Sequence, residues 1–331
     1  MSVIFNPIEI ERELTALQRQ LSPNESRTML FNLVIVSREQ DAREIDEALA
    51  CILGKRPARV IHIRNADRDE TGIEISARCF PGPGNQSVCL QELLILNGKD
   101  GVGVATGSWA PLLIRDIPVY LWWMESLVPP PETLYAALEQ VDKVILNSLK
   151  SERSGEAACG IFEEFVADIL DRDIPVADIA WRKLSALRQT TARLFDPAPV
   201  RPLMSEIRRV RISGGTAVTT ELYLAWLAHR LDWRKTGEFS FACRGGGTVE
   251  WEHGSPSPLE HGIAVTCTAA SGAVLSLMTD PERGYAKLSA PGEPVVTTSY
   301  TLQPEGNLLL DELDYLYHDY LFAEVIRSIR C

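Results

Sequence analysis

The chain has 331 residues, more than a single hydrophobic core ordinarily serves, which predicts two domains of roughly 150 to 180 residues. With 45% hydrophobic and 24% charged residues, the composition is that of a folded globular protein rather than a disordered or fibrous one. A net charge of −12 opposes the phosphate backbone and argues against a nucleic-acid partner, since only Arg208, Arg209 and Arg211 approach a basic patch.

The amino-terminal stretch MSVIFNPIEIERELTALQ carries acids where a signal peptide needs a basic start, and no later run approaches 18 apolar residues. A cytoplasmic protein with no membrane partner is therefore expected. Within residues 8–21, Ile10, Leu14, Leu17 and Leu21 make one apolar stripe on a charged helix. TMLFNLVIV, residues 28–36, reads as a central strand covered on both faces. Ser37 with Gln40 suggests a capping box for a helix running to Gly54, and RVIHI, residues 59–63, completes a βαβ unit. GIEISARCF and SVCLQELLIL flank the turn PGPGN and should pair as antiparallel neighbours, which makes the sheet mixed.

DIPVYLWW, residues 116–123, predicts another buried strand, PPETLYAALEQV a helix, and KVILNS a strand after it. These place an α/β domain over residues 1–150. From Glu156 to Arg193 the pattern is helical, including DIAWRKLSALRQTTARLF after Pro175. A strand near 205–213, a helix in TTELYLAWLAHRLDW, about five short β segments between 238 and 300, and one last helix from LLLDELDYLYHDY onward predict an α+β domain over 151–331. The expected architecture is thus two domains, α/β and α+β, each a mixed sheet flanked by helices.

The chain advertises little catalytic chemistry. Gly101, Gly103 and Gly107 give G-x-G-x-x-x-G, which matches neither the dinucleotide nor the P-loop fingerprint, although the Gly98–Gly107 loop follows an apolar strand where an anion cradle could form. A sugar-phosphate- or nucleotide-binding enzyme or sensor using that loop is the alternative reading. RGGGTVEW supplies turn glycines for a hairpin. His253 and His261 with Glu250, Glu252 and Glu260 fit no zinc spacing, no nucleophile elbow is present, and the histidines are scattered, so no catalytic, cofactor or metal residue is assigned. The seven cysteines, dispersed and without Cys-x-x-Cys, suggest buried thiols rather than a disulfide framework.

Aromatic residues stand out instead. Trp122 and Trp123 are adjacent on a strand and so face opposite layers, Trp181 lies in a helix, and Trp226 and Trp233 are seven apart, on one helical face. Burial explains each; an anchoring role at a partner interface, where Trp is over-represented, is the other reading.

RTMLFNLVIV at 27–36, RPARVIHI at 56–63, PLLIRDIPVYLWW at 111–123, VDKVILNS at 141–148, DIAWRKLSALRQTTARLFD at 178–196 and ELYLAWLAHRLDW at 221–233 together resemble the glucose-6-phosphate dehydrogenase assembly protein family, OpcA. The resemblance implies a non-enzymatic, cytoplasmic, two-domain protein that binds glucose-6-phosphate dehydrogenase and promotes its assembly or activation in the oxidative pentose phosphate pathway, with no cofactor. It also implies thiol redox control in some members, for which no cysteine pair of this chain can be matched. Trp122, Trp123, Trp181, Arg182 and Arg188, which lie in the family-like segments, become the candidate partner-binding residues.

Overall fold

The computed structural model describes residues 6–21, 29–81, 87–99, 101–127, 131–150, 159–237, 240–244, 246–254 and 262–329. In chain order the first elements are α1 (Pro7–Leu21), β1 (Phe31–Arg38), α2 (Ala42–Ile52), β2 (Ala58–Asn65), β3 (Gly72–Pro81) and β4 (Ser87–Asn97). The short turn α3 (Thr106–Trp109), β5 (Val119–Trp123), α4 (Glu132–Leu138), β6 (Lys143–Leu146), α5 (Cys159–Asp171) and β7 (Val176–Asp178) follow. Then come α6 (Ile179–Lys183), α7 (Ser185–Phe195), α8 (Arg201–Glu206), β8 (Ile207–Ser213), α9 (Ala217–Arg230) and β9 (Trp233–Gly237). The chain continues through β10 (Ser240–Cys243), β11 (Thr248–His253), β12 (Ala264–Ala269), β13 (Val274–Asp280), β14 (Tyr285–Ser289) and β15 (Val296–Ser299) to α10 (Glu305–Leu313) and α11 (Tyr320–Ile329).

Two compact units result: Met1–Ile179 with Pro304–Asp319, and Ala180–Gln303 with Tyr320–Cys331. The division therefore falls after Ile179 rather than near residue 150, because Val176–Asp178 adds a seventh strand to the first sheet. That strand stands where the sequence pattern suggested only helix; three residues are too few to show a period of two.

The first sheet has the order β3-β4-β2-β1-β5-β6-β7. Its strands are parallel except for β3, which runs antiparallel to β4 as the intervening turn suggested. β1 and β5 are buried along nearly their whole length, which is why they read as unbroken apolar runs. On one face, Leu33, Ile35 and Trp122 pack with Ile45 and Leu49 of α2 and with Leu308 and Leu309 of α10. The α2–α10 approach requires Gly306, where a Cβ would stand 2.9 Å from Ala48 Cα and 2.6 Å from Cys51 Sγ. The corner before α2 is not the expected Ser37–Gln40 box. Ser37 Oγ instead turns inward to His62 Nε2 at 2.8 Å, while the Asp41 carboxylate accepts from Lys150 Nζ at 2.8 Å.

The second unit holds an eight-stranded sheet, β15-β14-β13-β12-β8-β11-β10-β9, in which only the β8–β11 pair is parallel. Alternation in β8 buries Val210 and Ile212 and leaves Arg209 and Arg211 exposed, the latter paired with Glu252 at 2.6 Å, so this basic patch is a solvated strand face. α9 is opened by Thr216, whose Oγ1 accepts from the Thr219 N–H at 3.2 Å, and it ends before Asp232, which takes φ 56°. Trp233 consequently starts β9 and is not on the helical face of Trp226.

One disulfide corrects the reading of all cysteines as thiols: Cys79 and Cys89 face each other across β3 and β4. Among the rest, Cys51, Cys243 and Cys267 are free, and burial pushes the Cys267 thiol up to about 12.

Candidate partner-binding surface

The three candidate tryptophans are interior residues. Trp122 lies in the layer shared with α2 and α10, and Trp123, one residue on, enters the opposite layer. Trp181 is covered by Phe322, ring centroids 5.3 Å apart, and by Arg188, whose guanidinium lies 3.6 Å from the indole centroid and donates to the Trp181 carbonyl at 2.7 Å. All three rings are buried. Arg182, in α6, and Arg188, in α7, are half-buried side chains of the second unit.

The first unit carries an exposed apolar cluster that the sequence pattern hid. Leu30 is 47% exposed, Tyr315 53%, Leu316 39% and Tyr317 62%. Leu30 and Leu316 border a groove of about 290 Å³ floored by Phe31, Tyr120 and Leu313 and rimmed by Arg56 and Asp314. The segment after α10 is fixed rather than loose. Buried Lys143 donates to the Glu312 carboxylate at 2.7 Å and to the carbonyls of Glu312 at 3.0 Å and Tyr315 at 2.8 Å, using all three ammonium protons at a helix C-terminus. Arg56 grips Asp314 with two parallel bonds, 2.8 and 2.9 Å. Burial pushes the Tyr120 hydroxyl at the groove floor up to about 12, with Asp314 adding to the shift, so it remains protonated and uncharged. The long terminal helix expected from the sequence is therefore two helices, and the break exposes Tyr315, Leu316 and Tyr317.

The places where chemistry was conceivable are otherwise employed. His62 and Ser37 form a hydrogen-bonded pair, but both are fully buried. Burial, with Arg64 adding to it, pulls the His62 imidazole down to about 3, so it stays neutral as a structural acceptor or donor. A crevice of about 570 Å³ does lie past the carboxyl ends of β1, β2 and β4, the habitual ligand position in open α/β sheets. Its polar groups bond one another: Asn65 Nδ2 donates to Glu125, Asn97 Nδ2 to Asn65 Oδ1 at 2.5 Å, and Gly103 N–H to Asn97 Oδ1 at 2.7 Å. The Gly98–Gly107 loop likewise spends its amides internally, Gly98 N–H on Thr71 Oγ1 at 3.0 Å and Gly101 N–H on the Gly98 carbonyl at 3.1 Å. A phosphate cradle needs those donors turned outward, so the ligand-binding alternative is not favoured. His253 packs edge-on against Trp251, while Glu260 and His261 lie outside the described residues. Among the described residues no helix is long and apolar enough to cross a membrane.

Fold and surface together define a two-domain α/β protein whose first unit carries an exposed apolar, aromatic cluster. The family models described as the glucose-6-phosphate dehydrogenase subunit N-terminal and C-terminal domains match residues 50–161 and 174–326, and the chain belongs to this OpcA family. It is 28% identical over 187 residues to the OxPP cycle protein OpcA of Nostoc punctiforme, covering 54% of this chain and 39% of that protein. It is 27% identical over 213 residues to the protein of the same name from Synechococcus elongatus, covering 59% and 43%. The chain thus matches about two-fifths of the length of these curated relatives. Among solved structures, D-galactose-1-dehydrogenase of Rhizobium etli is similar at TM-score 0.44 and 14% identity, covering 92% of this chain and 94% of that one. Myo-inositol 2-dehydrogenase of Lactobacillus plantarum is similar at TM-score 0.39 and 7% identity, covering 90% and 94%. At such scores the likeness carries no functional reading.

Proposed function

We propose that the chain is a non-catalytic partner of glucose-6-phosphate dehydrogenase that acts in the cytoplasm to promote the enzyme's assembly or activation in the oxidative pentose phosphate pathway. The family models supply the partner class, since both are described as domains of a glucose-6-phosphate dehydrogenase subunit. The observation that carries the mode of action is the surface of Leu30, Tyr315, Leu316 and Tyr317 beside an apolar groove with a charged rim. Apolar and aromatic anchors surrounded by polar groups are what a specific protein interface requires.

An activator works only by binding one state of the enzyme more tightly than another, and the difference in affinity is the coupling energy. A surface held by Lys143 and Arg56 suits that task, because a preformed anchor spends little binding energy on ordering itself. Arg182 and Arg188 are proposed as a second contact patch, on the other unit. The test is co-elution with the dehydrogenase of the same organism. Leu316→Asp should weaken complex formation at least about tenfold while leaving the thermal unfolding profile unchanged, because the side chain is an exposed anchor rather than part of the core. Undiminished binding by that variant would move the interface elsewhere.

A further inference from the structure

β3 is the outermost strand of the first sheet, paired with β4 alone, and its ten residues run in register without a bulge. No hydrogen bond from outside the β4 ladder reaches the backbone of residues 72–80 among the described residues. Proteins commonly blunt such an edge with lysine, proline, a bulge, shortness or a covering helix, because its open N–H and C=O groups recruit another strand. Between Gly72 and Phe80 there is neither Lys nor Pro, Pro81 standing only at the strand's end, and α1, which packs against β3, lies over the sheet face that carries Ala77, since its Gln18 accepts from Gln91, the β4 residue opposite Ala77.

Which groups point outward follows from the ladder. Cys79 and Cys89 have Cα atoms 4.0 Å apart, the close spacing of a pair that does not exchange backbone hydrogen bonds. The alternation then directs the N–H and C=O of Ile73, Ile75, Ala77 and Cys79 away from β4, toward the open edge. Glu74, Ser76 and Arg78 occupy the intervening positions, and all three side chains are exposed.

We propose that this edge pairs with β3 of a second copy of the chain, antiparallel about a twofold axis at Ser76, joining two seven-stranded sheets into one. In that register Ile73 opposes Cys79 and Ile75 opposes Ala77, so the outward groups of each copy meet those of the other as hydrogen-bonded pairs. Glu74 opposes Arg78 twice, at close-spaced positions where opposite charges stabilise the pairing. Arg78 already holds Glu92 of its own chain at 2.8 Å, which fixes the guanidinium on the sheet face where the second copy's Glu74 arrives. An isologous contact of this kind closes on itself and stops at the dimer. A strand of an unrelated protein would gain the same backbone bonds but has no reason to carry the matching charges, whereas one segment reading Glu-x-Ser-x-Arg is complementary to itself. This assignment is independent of the functional reading above.

Sedimentation equilibrium of the full chain tests it. The unaltered chain should be a dimer. Glu74→Arg alone opposes guanidinium to guanidinium, and Arg78→Glu alone opposes carboxylate to carboxylate, so each should dimerise about tenfold more weakly or worse. Mixing the two variants restores both opposite-charge pairs and should recover dimers containing one copy of each. Glu74→Arg leaves the Arg78–Glu92 pair intact, and an unchanged circular dichroism melt would confirm that the fold is kept. Ser76→Cys places a thiol against itself across the axis and should give a covalent dimer on mild oxidation that the parent chain, treated identically, does not give. A monomeric parent chain, a dimer indifferent to both charge reversals, or failure of Ser76→Cys to cross-link would each overturn the assignment.

Discussion

Replacing Lys143 with Met removes the cation that closes the end of α10. The Lys143 side chain is 2% exposed and its ammonium makes three hydrogen bonds, two of them to carbonyls and one to the carboxylate of Glu312, whose side chain is only 12% exposed. Breaking a buried ion pair from one side costs about 3–5 kcal/mol, because the remaining charge stays desolvated and unpaired. Taking the middle of that range, Lys143→Met should destabilise the first unit by about 4 kcal/mol, nearly a thousandfold in its folding equilibrium. Urea unfolding gives the energy, and amide hydrogen exchange across α10 shows whether the loss is local or global. The double variant Lys143→Met with Glu312→Met removes the carboxylate that faced the ammonium and should recover a substantial part of the loss, although the two carbonyls lose the Lys143 donor. A cost below about 1 kcal/mol for the single variant, or a double variant no better than the single, would refute the claim that this pair holds the exposed segment in place.

His62 gives a pH signature. Its folded pKa, about 3, lies below the unfolded value of 6.5, so the unfolded chain takes up the proton first and stability falls as pH drops through the window from 6.5 to 3. Between pH 6.5 and 5 the loss attributable to this residue is about 2 kcal/mol, and a denaturation series on His62→Leu should show that component missing. Gly306→Ala forces a Cβ against the backbone of α2 and should cost about 1–3 kcal/mol by the same assay, whereas a neutral effect would show that α10 can shift without penalty.

What the sequence disclosed follows from where information is local. β1, β2, β5 and β6 are short and deeply buried, so they appear as apolar runs, and the antiparallel β3–β4 pair was announced by its turn. The same hairpin carried an unread signal: Cys79 and Cys89 stand five residues either side of Gly84, which in a symmetric hairpin makes them opposite one another. The break after Leu313 was not legible, because the group that helps fix it, Lys143, is 169 residues away from Glu312. For the same reason Tyr315, Leu316 and Tyr317 looked like one more stretch of amphipathic helix. Adjacent tryptophans on a strand read first as core, with an interface as the other reading, and the layers on both sides of β5 bury both rings.

Coupling to the dehydrogenase is measured by titrating the enzyme of the same organism with this chain, unaltered and as Leu316→Asp, while recording initial rate and complex mass together. The proposed role predicts a saturable change in rate that tracks formation of a larger complex, with the variant needing at least about ten times the concentration to reach the same effect. A rate that stays constant at concentrations where the enzyme and the unaltered chain remain separate would contradict it.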